Sequence, residues 1–596
     1  MKKYTLVTLV LFYITARLVV LFFSPYLYDP EESYRGSVAK EILDGSRFNL
    51  FELQYEPHEG GSLLVSVVAA LFFKIFGIST ISLKLVALSF STLTLVLLFF
   101  FMKDYFGEKI AAIAAVLLTL APPFYAVFNL VTLGDYTEAS FAMAILYLFF
   151  KIVHSGKRGP LWLAAFGFLC GFSIWFSYAN LVIAAACFAY WLLLDRHFFL
   201  KRGFAVVLLF VLVGLSPWFY YNFTHSFAGL NKLCGAFESS HSIIEKLKVM
   251  RANFRDLSPH IMPAAFRFFD MRIHIPGITN FVLSRKALAF TYYGAFIISF
   301  VRLCSRNRNL FGREFFIIFY IFFFSAVYIL TDYANSPGER IPLGWGVNPG
   351  CVHTTGYGRF IFLLEPFIVM TLAITTGNML SKNGPRYLRT LGAASLTVLI
   401  FVGMAGNAGL LAAADTSVKR SGLKPYNLPA FFAYLGSGSR NENSDPIKKI
   451  LPKLKDEEKP YFYFGMGAEA ICGGTDNPYC EGQPYLLKRG NKIIDIDAVV
   501  EEKFRHYYFA GVGYGFCILC KAKGIEESLA MAGRLRGRDR EYATAAVLQN
   551  EMMKNNGRMD EGYSRILDKL GPQGRIKEIM DFVQSAPQKK IFEPYE

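Results

Sequence analysis

Apolar runs of about 20 residues, the length a helix needs to cross a bilayer, recur from Tyr4 to Ala413. Inside lipid every backbone polar group must be satisfied within its own segment, so such runs fold as helices. The composition agrees: of 596 residues, 54% are hydrophobic and 16% aromatic, more apolar than a soluble chain of that length. The opening MKKYTLVTLVLFYITARLVVLFF has no small-residue cleavage site after its apolar run. It reads as a retained first helix, not a removed signal peptide.

The formal net charge of +16 raises nucleic acid as a partner, but in a membrane protein basic residues crowd into cytoplasmic loops. The two readings differ in where the charges sit. Segment 62–77 carries Lys74 and is short for a span, so it is expected to lie in the interface as a half-buried helix. Eleven helices then remain, near 4–23, 81–102, 109–127, 137–153, 161–178, 179–194, 203–221, 286–302, 314–330, 357–377 and 390–412. With the N-terminus inside, the cytoplasmic connections hold Lys103 and Lys109, then Lys151, Lys157 and Arg158, then Arg196, Lys201 and Arg202. The last two hold Arg302, Arg306, Arg308 and Arg313, then Lys382, Arg386 and Arg389, and few acids offset them. One more crossing at 62–77 would put nearly all of these outside. The positive-inside rule therefore selects eleven helices, and no nucleic-acid partner is needed to explain the charge.

This topology places 24–80, 129–140, 222–285 and 331–359 on the outer face. After Ala413 the chain turns polar, so the expected division is a transmembrane domain over 1–413 and an exported soluble domain over 414–596. The first half of that domain, with KPYFYFGMGAEAICGG, reads as strand-like and turn-rich. The second half, from about Val499, reads as helices separated by Gly-containing turns. Cys472 and Cys480 in CGGTDNPYC are a candidate disulfide in an oxidising compartment. No GxxxxGK[ST] loop and no zinc-ligand spacing of His and Cys is present, and GVGYG (511–515) is too short for a dinucleotide fingerprint.

Ionisable residues at the outward ends of membrane helices are functional candidates. Asp29, Glu31 and Glu32 fall within four residues directly after the first helix. Tyr34, Val38 and Ile42 then recur every fourth residue, so 33–44 is expected to lie on the membrane surface as an amphipathic helix. Asp135 sits in TLGDYTEASF, at the outward end of the third helix. Arg359 sits in GYGRFIFLLEP, at the outward end of the tenth. Each also has a structural role open to it, as interfacial acid, helix cap or snorkelling anchor.

The order of these features resembles the GT-C superfamily of polytopic glycosyltransferases. An acid-rich first loop leads into AKEILDG, then come FKIFGIS, LAPPFYAVFNLVTLGD, LSPWFYYN and GRFIFLLEP. The likeness over 1–380 is to the dolichyl-phosphate-mannose protein mannosyltransferase and lipid A aminoarabinose transferase group. In that group an Asp-Glu pair usually precedes the Ala of AKE by about eight residues; here the matching pair is Glu31-Glu32. An alternative alignment of DPEESYR with oligosaccharyltransferase catalytic subunits makes Asp29 the key acid. The Trp-Trp-Asp motif of those enzymes is missing, because no two Trp residues are adjacent.

The resemblance implies a polyprenyl-phosphate sugar as donor and an acceptor that is a glycan, a lipid or a protein. A carboxylate takes the acceptor proton as it attacks the anomeric carbon, and the candidates are Asp29, Glu31 and Asp135. The leaving phosphate needs a fixed cation, and the Arg359 guanidinium presents a planar fork to phosphate oxygens. Tyr357, Glu32 and His58, in YEPHEGGS, complete the candidate substrate contacts. Asp135 could instead join the first-loop acids around a divalent ion. A monophosphate donor gives less reason for a metal, so no cofactor is expected. The implied location is the cytoplasmic (inner) membrane, with active site and C-terminal domain outside. Competing readings are a metal-dependent lipid-linked oligosaccharide transferase of the same fold, a transporter or flippase, and a non-catalytic scaffold.

Overall fold

The computed structural model describes residues 5–23, 30–43, 59–132, 138–235, 270–273, 281–306, 312–330, 364–381, 385–421, 451–472, 485–489, 492–519, 525–554, 561–570 and 574–585. The chain divides into two compact units. One holds 1–29, 57–65 and 84–422, the other 30–56, 66–83 and 423–596.

In chain order the helices begin with α1 (Thr5–Phe23), α2 (Pro30–Leu43), α3 (Gly61–Phe76), α4 (Thr80–Phe106), α5 (Glu108–Thr119) and α6 (Pro123–Phe128). They continue with α7 (Glu138–Val153), α8 (Pro160–Phe176), α9 (Asn180–Leu194), α10 (Arg202–Gly214), α11 (Ser216–Thr224) and α12 (Ala228–Gly235). A short antiparallel hairpin, β1 (Asp270–Ile273) with β2 (Phe281–Ser284), precedes α13 (Arg285–Arg306), α14 (Arg313–Leu330), α15 (Glu365–Met379) and α16 (Arg386–Ser421).

Four described helices are long and apolar enough to cross a membrane unaided: Thr5–Phe22, Ile81–Phe106, Lys286–Ser305 and Arg386–Gly409. α10 and α11 together make a fifth, bent by 52°. The bend sits at Leu215–Ser216–Pro217, where a proline in the first turn of α11 removes a backbone donor. α7, α8 and α9 are apolar but shorter. α8 packs on α10 through Gly167 and Gly171, spaced one turn apart. A Cβ on these would lie 2.3 Å from the Val207 carbonyl and 2.1 Å from that of Val211. Only glycine permits that approach, and small residues at this spacing draw membrane helices together by dispersion.

Three sequence expectations are corrected. The run 109–127 is not one helix: α5 stops at Thr119 and α6 starts at Pro123, because Pro122 and Pro123 lack the donors that would continue the ladder. The first-loop helix begins at Pro30, three residues before its expected start, and residues 35 to 40 are all buried. KPYFYFGMGAEAIC, read as strand-like, is α17 (Lys459–Cys472). Its aromatic run carries strand propensity, but Phe462, Tyr463, Phe464 and Met466 are all buried in a helical core, and packing overrides propensity.

After α17 come the hairpin β3 (Leu486–Arg489) with β4 (Lys492–Asp495), then α18 (Arg505–Leu519), α19 (Ile525–Gly533), α20 (Gly537–Lys554), α21 (Glu561–Leu570) and α22 (Gly574–Ser585). α17 and α18 cross closely, since a Cβ on Gly467 or Gly511 would meet the Tyr508 or Phe464 carbonyl at 2.0 Å. GVGYG is thus a helix-packing surface. Arg505 forks onto Asp539, with Nε to Oδ1 at 2.9 Å and Nη2 to Oδ2 at 2.8 Å, and Tyr485 donates to the same carboxylate at 3.1 Å.

His506, beside Arg505, is buried. Its Nε2 lies 3.3 Å from a Glu578 oxygen, but neither ring nitrogen is aligned for a hydrogen bond. Burial lowers its pKa, outweighing the pull of Glu578 in the other direction. Because the folded value lies below the unfolded one, the stability His506 contributes is full above the ordinary value of 6.5 and is lost as pH falls through it. In the full chain, amide exchange over α18, corrected for its chemical rate, should quicken from about pH 7 to about pH 5. His506→Phe should flatten that dependence; an unchanged slope in the variant would assign it to other groups.

Candidate functional site

Of the seven side chains named from sequence, five (Asp29, His58, Asp135, Tyr357 and Arg359) lie outside the described residues. α2 begins at Pro30, so Glu31 and Glu32 fall in its first turn, where a carboxylate is favoured by the helix dipole. Glu32 is buried, 1% exposed. The structure therefore neither assembles the seven nor separates them; what it does show is the framework beside them.

The segment after His58 is tied down at once. The Glu59 carboxylate accepts the Tyr178 N–H at 2.7 Å, and the Gly60 N–H donates to the Trp175 carbonyl at 2.7 Å. Tyr178, in the turn between α8 and α9, donates its hydroxyl proton to the Gly229 carbonyl at 3.0 Å and accepts from Trp218 Nε1 at 2.7 Å. Asn222, the last residue of LSPWFYYN, accepts the Leu230 N–H at 2.8 Å through Oδ1. That bond and the Phe227 N–H to the Asn222 carbonyl, 2.8 Å, hold a turn in which Ser226 (φ 52°) and Phe227 (φ 60°) are both left-handed. Left-handed backbone costs a non-glycine residue about 1 kcal/mol or more, so the turn is held by its surroundings. The end of the first loop, the α8–α9 turn and the start of the 222–285 connection thus share one end of the helices.

At the other end, Lys151 pairs with Asp104 at 2.6 Å, Arg313 Nη1 donates to the Tyr105 carbonyl at 2.9 Å, and Lys109 donates to that of Leu380 at 2.9 Å. Asp195 lies 3.2 Å from Lys201 and 3.5 Å from Arg158, and the Lys201 hydrogen bond holds its carboxyl below the usual range. The basic connections cluster together, opposite the Glu59–Tyr178–Trp218 network.

Between the two ends lies the broken segment from Leu118 to Leu130. Its free carbonyls would be costly in lipid, and side chains from three other helices reach them. Arg17 of α1 donates Nη2 to the Leu118 carbonyl at 3.3 Å, and Asn407 of α16 donates to that of Ala121 at 3.1 Å. From α4, Ser91 reaches the Asn129 carbonyl and Lys84 that of Leu130, each at 3.4 Å. Arg17 and Lys84 are each 1% exposed. Arg17 lies six residues before the end of α1, about 9 Å along the axis, and Lys84 four residues into α4, about 6 Å. Glu365, the first residue of α15, is also buried and accepts the Tyr292 hydroxyl at 2.5 Å.

Sequence reasoning passed over Arg17, Lys84 and Glu365. Each is a charge inside an apolar run, in ITARLVV, SLKLVAL and FLLEPF, and that signal alone marks a functional candidate. Among the described residues no three His, Cys, Asp or Glu side chains converge as metal ligands would.

Residues 61–221 match the sequence model of the family described as dolichyl-phosphate-mannose-protein mannosyltransferase. No curated protein sequence matches the chain. Among solved structures the chain is similar to ArnT from Cupriavidus metallidurans bound to undecaprenyl phosphate, with 12% identity over 77% of this chain and 85% of that one, TM-score 0.47. It is also similar to the Archaeoglobus fulgidus oligosaccharyltransferase in the apo form, with 15% identity over 77% of this chain and 60% of that one, TM-score 0.39. Over 61–221 the chain resembles the mannosyltransferase family whose model it matches.

Proposed function

We propose that this chain is a membrane glycosyltransferase. It moves a sugar from a polyprenyl-phosphate donor to an acceptor at the outer surface of the cytoplasmic (inner) membrane. The observation that carries the proposal is the family match over 61–221, the stretch whose near ends Glu59, Tyr178 and Trp218 tie together. That family's description, whose sugar carrier is a lipid monophosphate, supports this donor class.

In this reading Asp29 or Glu31 takes the acceptor proton and Asp135 orients the acceptor. Arg359, with Tyr357, receives the charge that develops on the leaving phosphate. Lys84, buried one turn inside its helix, is a second cation at the depth of a lipid headgroup. Residues 1–413 form the transferase and 414–596 an exported domain, with eleven crossings. The clustering of Asp104, Lys109, Arg158 and Arg313 contacts at one end supports that alternation.

Purified protein incubated with a polyprenyl-phosphate carrying a radiolabelled sugar should release or transfer the label. Transport or binding of the intact donor, with no bond cleaved, would favour a flippase or scaffold. The orientation has its own test. Cysteines introduced at Asp135 and Ser437 should react with an impermeant thiol reagent from outside intact cells, and one at Lys157 should not. Labelling at Lys157 from outside would overturn the eleven-helix topology.

A further inference from the structure

Residues 533–540, GRLRGRDR, form the turn from the end of α19 into the start of α20, and the transferase reading gives them no role. Arg534, Arg536, Arg538 and Arg540 are all exposed, and none of them forms an ion pair among the described residues. The one acid between them is sequestered. Asp539 is buried and takes the fork of Arg505, with Tyr485 donating to it as well. Arg505 also pairs with Asp497 at 2.5 Å. The next acid along the chain, Glu541, is half-buried, and Glu526 and Glu527 stand at the far end of α19. The turn therefore presents positive charge that the fold leaves uncompensated.

Tyr485 ties a second basic element to this turn. Its hydroxyl accepts the Arg536 N–H at 2.9 Å, and the Arg536 guanidinium stands 5.1 Å over its ring. Tyr485 leads directly into β3, and the β3–β4 hairpin carries Lys488, Arg489 and Lys492, with Arg489 opposite Lys492 in register. No acid falls between Tyr485 and Asp495.

Shape decides the partner. Arg538 and Arg540 flank the buried Asp539, and residues two apart on a helix diverge by about 200°, so their guanidinium groups do not converge on a single anion. Splayed around the tip of a helix, they suit a surface that offers many phosphates at once. Arginine stays charged at any working pH and presents a fork to phosphate oxygens. Such a surface is within reach. Residues 422–450 join this part of the chain to α16, which is long and apolar enough to cross a membrane, and that length of chain spans at most about 100 Å. A tether raises the local concentration at which weak contacts act, and each basic residue near an anionic leaflet contributes about fivefold in binding.

We infer that the arginine turn 534–540, with the β3–β4 hairpin beside it, docks onto the anionic phospholipid headgroups of the membrane that anchors the chain. The inference stands apart from the transferase reading, since neither donor nor acceptor takes part in it.

The test uses the full chain in nanodiscs of phosphatidylcholine, either pure or mixed with phosphatidylglycerol. Arginines are modified to low extent with p-hydroxyphenylglyoxal, and the rate at each site is read by mass spectrometry. Arg534, Arg538 and Arg540 should react about fivefold more slowly in the anionic discs, and high salt should abolish the difference. Arg565, exposed on α21, is the internal reference and should keep its rate. Arg538→Gln combined with Arg540→Gln should return Arg534 to its rate in neutral discs. Melting should not change, because both side chains are exposed.

Equal rates in the two discs would overturn the docking. Equal slowing at Arg565 would overturn it too, by tracing the effect to the reagent at a charged bilayer. Slowing at Arg534 that survives the double substitution would remove Arg538 and Arg540 from the contact and contradict the inference. Protection by a soluble polyphosphate, with none from anionic lipid, would assign the surface to a soluble partner instead.

Discussion

Asp29→Asn is expected to abolish transfer while leaving expression and donor binding intact. Asparagine keeps the shape of the side chain and cannot accept a proton, and a general base commonly contributes about 10²- to 10⁴-fold to the rate. Two first-loop acids, Asp29 and Glu31, are candidates for that role. Glu31 falls in the first turn of α2, where the helix dipole gives an acid a structural reason to be present. Asp29 precedes the helix, and Pro30 biases it towards extended backbone, which directs its side chain. Glu31→Gln should therefore cost less than Asp29→Asn. The reverse ranking would make Glu31 the base, as the mannosyltransferase-like alignment has it. Full activity in both variants would leave these acids as interfacial decoration.

Arg359→Ala is expected to lower turnover by roughly a hundredfold, and Arg359→Lys to keep part of it. Losing one charged contact to a developing phosphate charge in a desolvated site is commonly worth about 3 kcal/mol. Lysine restores the charge without the planar fork, so it should rescue incompletely. An alanine variant with unchanged turnover would leave Arg359 as a membrane anchor.

The helices were legible wherever an apolar run had no internal breaker: α1, α4, α13, α14 and α16 each fall on a run expected to be helical. What escaped depended on partners far away in sequence. The break at Pro122–Pro123 is visible as two prolines, but its tolerance inside the membrane rests on Arg17, Lys84 and Asn407, up to 286 positions distant. The aromatic start of α17 suggested a strand because four consecutive aromatics carry strand propensity. Its helical state depends on Gly467 and Gly511 letting α18 come close. The order Asp29, Asp135, Arg359 is an expectation from a resemblance, and all three lie outside the described residues; Tyr178 as the hub of one helix end was not legible at all. A tyrosine between two apolar helices carries no sequence signal until partners such as Glu59, Gly229 and Trp218 are known.

The central claim is that the bond between a sugar and a lipid phosphate is broken at the outer membrane surface. Mass spectrometry of the lipid fraction tests it most directly, in proteoliposomes of uniformly oriented protein given a polyprenyl-phosphate sugar in one leaflet at a time. Free polyprenyl phosphate should accumulate when the donor lies in the leaflet on the Glu59–Tyr178 side, and Asp29→Asn protein should leave that donor intact. Equal accumulation with the donor restricted to the opposite leaflet, or none with either, would contradict the account.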